Sequence, residues 1–165
     1  MYFTINLETV FMLHTGEAAP TFCTLNQEDK TVCLDDFKGH QNVILYFYPK
    51  DDTPGCTIEA NQFTELADEF AQHDTVILGV SKDDCDSHRQ FISKFGLRVD
   101  LLADTSGELC DKYGAWQEKE KNGEKKMGIV RSTFVIDKTG KLVHVEYGVN
   151  PEGHARAMLE KVRAV

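Results

Sequence analysis

The residues around Cys56 equip it for nucleophilic chemistry. It lies in the run Tyr48-Pro49-Lys50-Asp51-Asp52-Thr53-Pro54-Gly55-Cys56-Thr57, after the apolar stretch Val43 to Tyr48 and before a helical pattern of apolar residues at Phe63, Leu66, Ala67 and Phe70. A cysteine opening a helix meets backbone N–H groups without helical partners and the positive end of the helix dipole, so its anion is favoured. The thiolate is the reactive form of sulfur. Pro49 and Pro54 restrict the backbone on either side and leave few N–H groups to fold back over the turn. Thr53, three residues before the cysteine, can set a hydroxyl beside the sulfur as both donor and acceptor.

The other cysteines stand at 23, 33, 85 and 110. The total is odd and no pair is spaced C-x-x-C, so neither a disulfide framework nor a structural zinc site is expected. Each is by default a small buried apolar residue, and Cys23 and Cys33 are read as structural. Cys85 differs, because the polar run Lys82-Asp83-Asp84-Cys85-Asp86-Ser87 exposes it and its acidic neighbours disfavour its thiolate. The histidines at 14, 40, 73, 88, 144 and 154 have no partner at metal-ligand spacing, and no glycine-rich phosphate loop follows a strand. Neither a metal nor a nucleotide cofactor is implied.

The elements that position Cys56 follow from hydrophobic patterning. Val43 to Tyr48 and Thr75 to Val80 read as strands buried on both faces. A helical pattern spans Asp84 to Phe95, Leu101-Leu102 forms a short strand, and Ser106 caps a short helix reaching Tyr113. Thr133 to Ile136 and Leu142 to Tyr147 are strands joined by the turn chemistry of Asp137-Lys138-Thr139-Gly140. Pro151 to Val162 closes the chain as a helix, and Lys119 to Lys126 reads as a solvated loop. Alternating strands and helices followed by a hairpin give an α/β protein with a mixed central sheet flanked by helices.

Composition excludes several functions. The 165 residues fit a single domain, 13–165, preceded by an N-terminal extension over 1–12, since Met12 reads as a domain start. With 18 basic against 27 acidic residues the net charge is −9, which argues against nucleic-acid or anionic-membrane binding. No apolar run approaches the roughly 20 residues of a membrane helix, and no signal peptide is evident, so a cytoplasmic protein is expected.

Pro49-x-x-x-Thr53-x-x-Cys56 resembles the peroxidatic motif of peroxiredoxins, the AhpC/TSA superfamily. The fuller run from Tyr46 to Thr57 resembles the Q type, the bacterioferritin comigratory proteins. The likeness extends to Gly16-Glu17-Ala18-Ala19-Pro20-Thr21-Phe22, Leu34-Asp35-Asp36-Phe37-Lys38-Gly39, Tyr113-Gly114-Ala115-Trp116 and Arg131-Ser132-Thr133-Phe134-Val135-Ile136-Asp137. It implies a thioredoxin fold and a thiol peroxidase whose Cys56 attacks a peroxide O–O bond to give a sulfenic acid. Thr53 would then bind peroxide and thiolate, Pro49 would wall the pocket, and Arg131 would stabilise the sulfur and the charge developing on oxygen. The backbone N–H groups of Gly55 and Cys56 would complete the anion site. The implied partners are a peroxide and a thioredoxin or glutaredoxin-like reductant, and the implied state is a monomer or weak dimer.

The pattern breaks at recycling. Where many Q-type enzymes carry a resolving cysteine this chain has Asn61, and at the later position used by others it has Ile92. Three readings stay open: reduction of Cys56 by an external thiol alone, resolution by Cys85, or resolution by Cys110. Two other functions compete. A disulfide reductase needs a second cysteine where the chain has Glu59, and a peroxide-sensing thiol switch or holdase chaperone would show little turnover.

Overall fold

In the computed structural model, residues 11–165 are described. The expected extension over 1–12 therefore falls, apart from its last two positions, outside the described residues. An antiparallel pair comes first, β1 (Cys23–Leu25) and β2 (Thr31–Cys33). Then follow β3 (Asn42–Phe47), α1 (Pro54–Glu65), α2 (Ala67–Gln72), β4 (Thr75–Ser81), α3 (Cys85–Phe95), β5 (Asp100–Ala103) and α4 (Glu108–Lys112). A hairpin of β6 (Trp116–Lys121) and β7 (Glu124–Ile129) precedes β8 (Ser132–Ile136), β9 (Leu142–Tyr147) and α5 (His154–Arg163).

The central sheet has the order β5-β4-β3-β8-β9. Strands β3, β4 and β5 run parallel, while β8 and β9 join antiparallel, giving the expected mixed sheet. β3 is buried along its whole length, because its alternate side chains serve two cores. Ile44 and Tyr46 pack with Phe63, Phe70, Met158 and Leu159 of the helices on one face. Val43, Leu45 and Phe47 pack with Leu109, Tyr113 and Phe134 on the other. The strand ends where Tyr48 hands over to Pro49, and the reactive turn starts at the carboxyl edge of the sheet.

Four expectations need correction. Cys23 and Cys33 are not separate core residues; they face each other in the β1–β2 register and form a disulfide. Lys119 to Lys126 is not a loop but most of the β6–β7 hairpin, turned by Asn122 and Gly123, both at positive φ (54° and 80°). Asn-Gly favours that left-handed turn geometry and outweighs the polarity of the flanking residues. The helical stretch after Cys56 breaks at Leu66, whose φ of −100° and ψ of 7° separate α1 from α2 while Phe63 and Phe70 stay fully buried. The short helix α4 starts at Gly107 rather than Ser106, because the Asp104 carboxylate accepts the N–H groups of Leu109 (3.0 Å) and Cys110 (2.9 Å).

Candidate active site

Thr53 takes the N-cap position of α1 without a side-chain capping bond, Pro54 fills the first helical position and Cys56 sits in the first turn. Proline fits there because its missing N–H would have no helical partner. The amides left free to point at an anion are those of Gly55 and Cys56. Cys56 is 2% exposed and belongs to the core between α1, α5 and the sheet.

Arg131 reaches the sulfur from the other side of the sequence. It stands between β7 and β8, where its carbonyl accepts the N–H groups of Gly148 and Val149, each at 2.9 Å. Its Nη2 donates to Cys56 Sγ at 3.4 Å and its Nη1 to Glu59 Oε1 at 2.7 Å. The guanidinium thus bridges two groups three residues apart on one face of α1. Gly55 leaves room for it: a Cβ there would lie 3.1 Å from Arg131 Nη2 and 3.5 Å from Pro151 Cγ.

Glu59 is the buried acid of this site that sequence reading passed over. It is 0% exposed, and its Oε2 has no hydrogen-bond partner. Burial pushes its pKa up to about 7, and the attraction of Arg131 only partly opposes the rise. For Arg131, burial works against the charge, but the Glu59 and Cys56 charges outweigh it and hold the guanidinium protonated. A signal was available, since position 59 lies among the inward positions Cys56, Ala60 and Phe63 of α1, where an acid needs a partner.

The Thr53 hydroxyl donates to the Lys50 carbonyl at 2.8 Å and so closes the turn on itself. The turn is also tied down from below. Asp51 is buried and accepts from Tyr48 Oη (2.6 Å) and Ser87 Oγ (2.8 Å), while His88 Nδ1 lies 2.7 Å from its Oδ2. The other ring nitrogen of His88 lies 2.9 Å from the Leu102 carbonyl. Both nitrogens face oxygens, so the ring links the Asp51 carboxylate to β5. Asp83 joins by accepting from the Asp51 amide at 2.8 Å and from Ser81 Oγ at 2.7 Å. Asp51, Asp83 and His88 could in principle group around a metal ion, but these hydrogen bonds already occupy the oxygens and ring nitrogens that would face it.

The structure does not gather the remaining cysteines around Cys56. Cys110 is fully buried in the core on the opposite face of the sheet, and burial followed by Asp104 pushes its thiol far up. Cys85 opens α3 beside the β1–β2 turn; burial, then a hydrogen bond to Asp29, raises its pKa. The direction is the expected one, though Asp29 of the hairpin contributes more to it than the flanking Asp84. Asn61 and Ile92 are both partly buried.

Comparison with known proteins places this geometry. Residues 15–145 match the AhpC/TSA family. A putative peroxiredoxin bcp from Helicobacter pylori is 41% identical over 150 residues, covering 91% of this chain and 98% of that protein. The peroxiredoxin Bcp of Bacillus subtilis is 39% identical over 151 residues, covering 92% and 96%. Among solved structures, the Xanthomonas campestris bacterioferritin comigratory protein, studied for its alkyl peroxide reduction activity, superposes with a TM-score of 0.82 at 35% identity, covering 87% and 90%.

Proposed function

The chain belongs to the AhpC/TSA family, and on that premise we propose that it is a thiol-dependent peroxidase that reduces hydrogen peroxide and organic hydroperoxides through Cys56. The observation that carries the reading is the Arg131 Nη2 contact to Cys56 Sγ at 3.4 Å, at the amino end of α1. The cation and the free amides of Gly55 and Cys56 favour the thiolate and meet the negative charge that grows on the peroxide oxygens. Attack on the O–O bond leaves a Cys56 sulfenic acid and releases water or an alcohol. Thr53 and Pro49 shape the rim on which the peroxide sits. An external thiol, either thioredoxin-like or small, then returns Cys56 to the thiolate, in a cytoplasmic setting.

Replacing Cys56 by Ser is expected to abolish peroxide consumption in an assay coupled to thiol oxidation, and Cys85→Ser to leave most of it. Unchanged turnover in Cys56→Ser would refute the assignment. A Cys56–Cys85 crosslink found by peptide mass spectrometry after one equivalent of peroxide would show that recycling starts inside the chain.

A further inference from the structure

Four lysines, Lys82, Lys119, Lys121 and Lys126, rim a cavity of about 390 Å³ with Trp116 and Met127 on its apolar side and Pro49 as its wall toward the reactive turn. That volume lies in the range that holds small ligands. In a chain of net charge −9, such a collection of cations is not what composition would place there. Only one acid, Glu124, joins the lining. Lys119 and Lys126 stand directly opposite each other across the hairpin, and like charges so placed repel. Among the described residues, the lysines found in ion pairs are Lys30, Lys94, Lys112 and Lys138, none of these four. Lys82 instead lies 4.3 Å over the Trp116 ring and Lys119 donates to the Ile129 carbonyl at 2.8 Å. Burial, then the nearby Arg131, lowers the pKa of Lys119, as expected of a cation short of anions.

Resting on the peroxidase reading, we propose that this cavity receives a low-molecular-weight thiol bearing carboxylates, which recycles Cys56. Cys110 lies across the sheet and Cys85 beside the β1–β2 turn, so on this reading the electrons for the sulfenic acid come from outside the chain. The carboxylates settle among the lysines and the thiol enters past Pro49. Its sulfur attacks the sulfur of Cys56–SOH, forming an S–S bond and releasing the hydroxyl as water. A second equivalent of the thiol attacks this mixed disulfide, giving the small-molecule disulfide, the Cys56 thiolate and one proton.

The test compares thiols of different charge on the full chain. Cys56 is oxidised with one equivalent of hydrogen peroxide, then mixed with mercaptosuccinate (anionic), 2-mercaptoethanol (neutral) or cysteamine (cationic). Mixed-disulfide formation is followed by quench and mass spectrometry, with rates expressed per thiolate. The variant Lys82→Glu/Lys121→Glu/Lys126→Glu changes exposed residues only. The native chain is expected to favour mercaptosuccinate, and the variant to favour cysteamine, the ratio of the two rates falling roughly 30-fold or more. An unmoved ratio overturns the proposal. So does a ratio that stays put while the variant slows oxidation by a carboxylate-bearing hydroperoxide relative to tert-butyl hydroperoxide, because the cavity then serves the peroxide. Failure of Cys56 to form a sulfenic acid at the first mixing overturns the peroxidase reading itself, and the two failures are thereby told apart.

Discussion

At the scale of single residues, the site turns on how Arg131 divides its guanidinium between Cys56 and Glu59. Burial raises the Glu59 pKa to about 7, so across neutrality its carboxylate becomes a second claimant, beside the Cys56 sulfur, on this one cation. Protonated Glu59 leaves the full charge of Arg131 to the sulfur; ionised Glu59 competes for it. Glu59→Gln, a neutral residue of the same shape, isolates this effect. The ratio of native to Glu59→Gln rate constants for Cys56 oxidation is expected to step downward as pH rises through about 7. A ratio constant from about pH 5.5 to 8.5 would remove Glu59 from the chemistry. Arg131→Lys keeps a charge but cannot point two fixed N–H donors at two groups. It is expected to slow peroxide attack roughly 10²-fold in stopped-flow measurements, the scale of losing one preorganised donor.

At the scale of elements, the reactive turn is fixed by its attachment to α3 and β4 as well as by its own sequence. His88→Leu leaves the buried Asp51 carboxylate short of a hydrogen-bond partner, and an unmet buried polar group costs about 1–3 kcal/mol. Denaturant unfolding of His88→Leu should show a loss of that order, and adding Asp51→Asn should recover part of it. Full recovery is not expected, since Tyr48 and Ser87 also bind Asp51. This knot was hidden from sequence reading because Asp51 and His88 are 37 positions apart and polar residues in polar runs give no sign of burial. The strands of the central sheet were legible because β3 is apolar at successive positions, as both its faces are covered. The β1–β2 pair was not, since its three-residue strands carry no measurable alternation, and the pairing of Cys23 with Cys33 appears only once their register is set. Cys56 and Arg131 were legible through motif and resemblance, whereas Glu59 went unread because its burial shows only against the inward positions Cys56, Ala60 and Phe63 of α1.

At the scale of the whole molecule, two buried groups pull stability in opposite directions with pH. Glu59 titrates near 7 in the folded chain against an ordinary value of 4.5. Between those values the unfolded chain gives up its proton first, so this group's contribution is complete below 4.5 and is lost as pH rises through about 7. His154 is held neutral by burial, with Nε2 2.7 Å from Thr133 Oγ1, and its pKa falls from 6.5 to about 4. There the unfolded chain binds the proton first, so stability is gained as pH rises from about 4 to 6.5. Asp68 and Asp137, whose pKa values are lowered from 3.8, act below this window. Where the two ranges overlap the slopes offset, and the native chain is expected to change little in unfolding free energy between pH 4.5 and 6.5. Each single substitution should uncover the other group. Glu59→Gln should leave a stability that rises with pH across this range, and His154→Gln one that falls, each by up to about 1.4 kcal/mol per pH unit. Urea unfolding followed by the fluorescence of the single tryptophan, Trp116, reads both slopes. Slopes of the same sign in the two variants would mean that one of these groups is solvated in the folded chain, and the pairing of Glu59 with Arg131 in a dry site would fall with it.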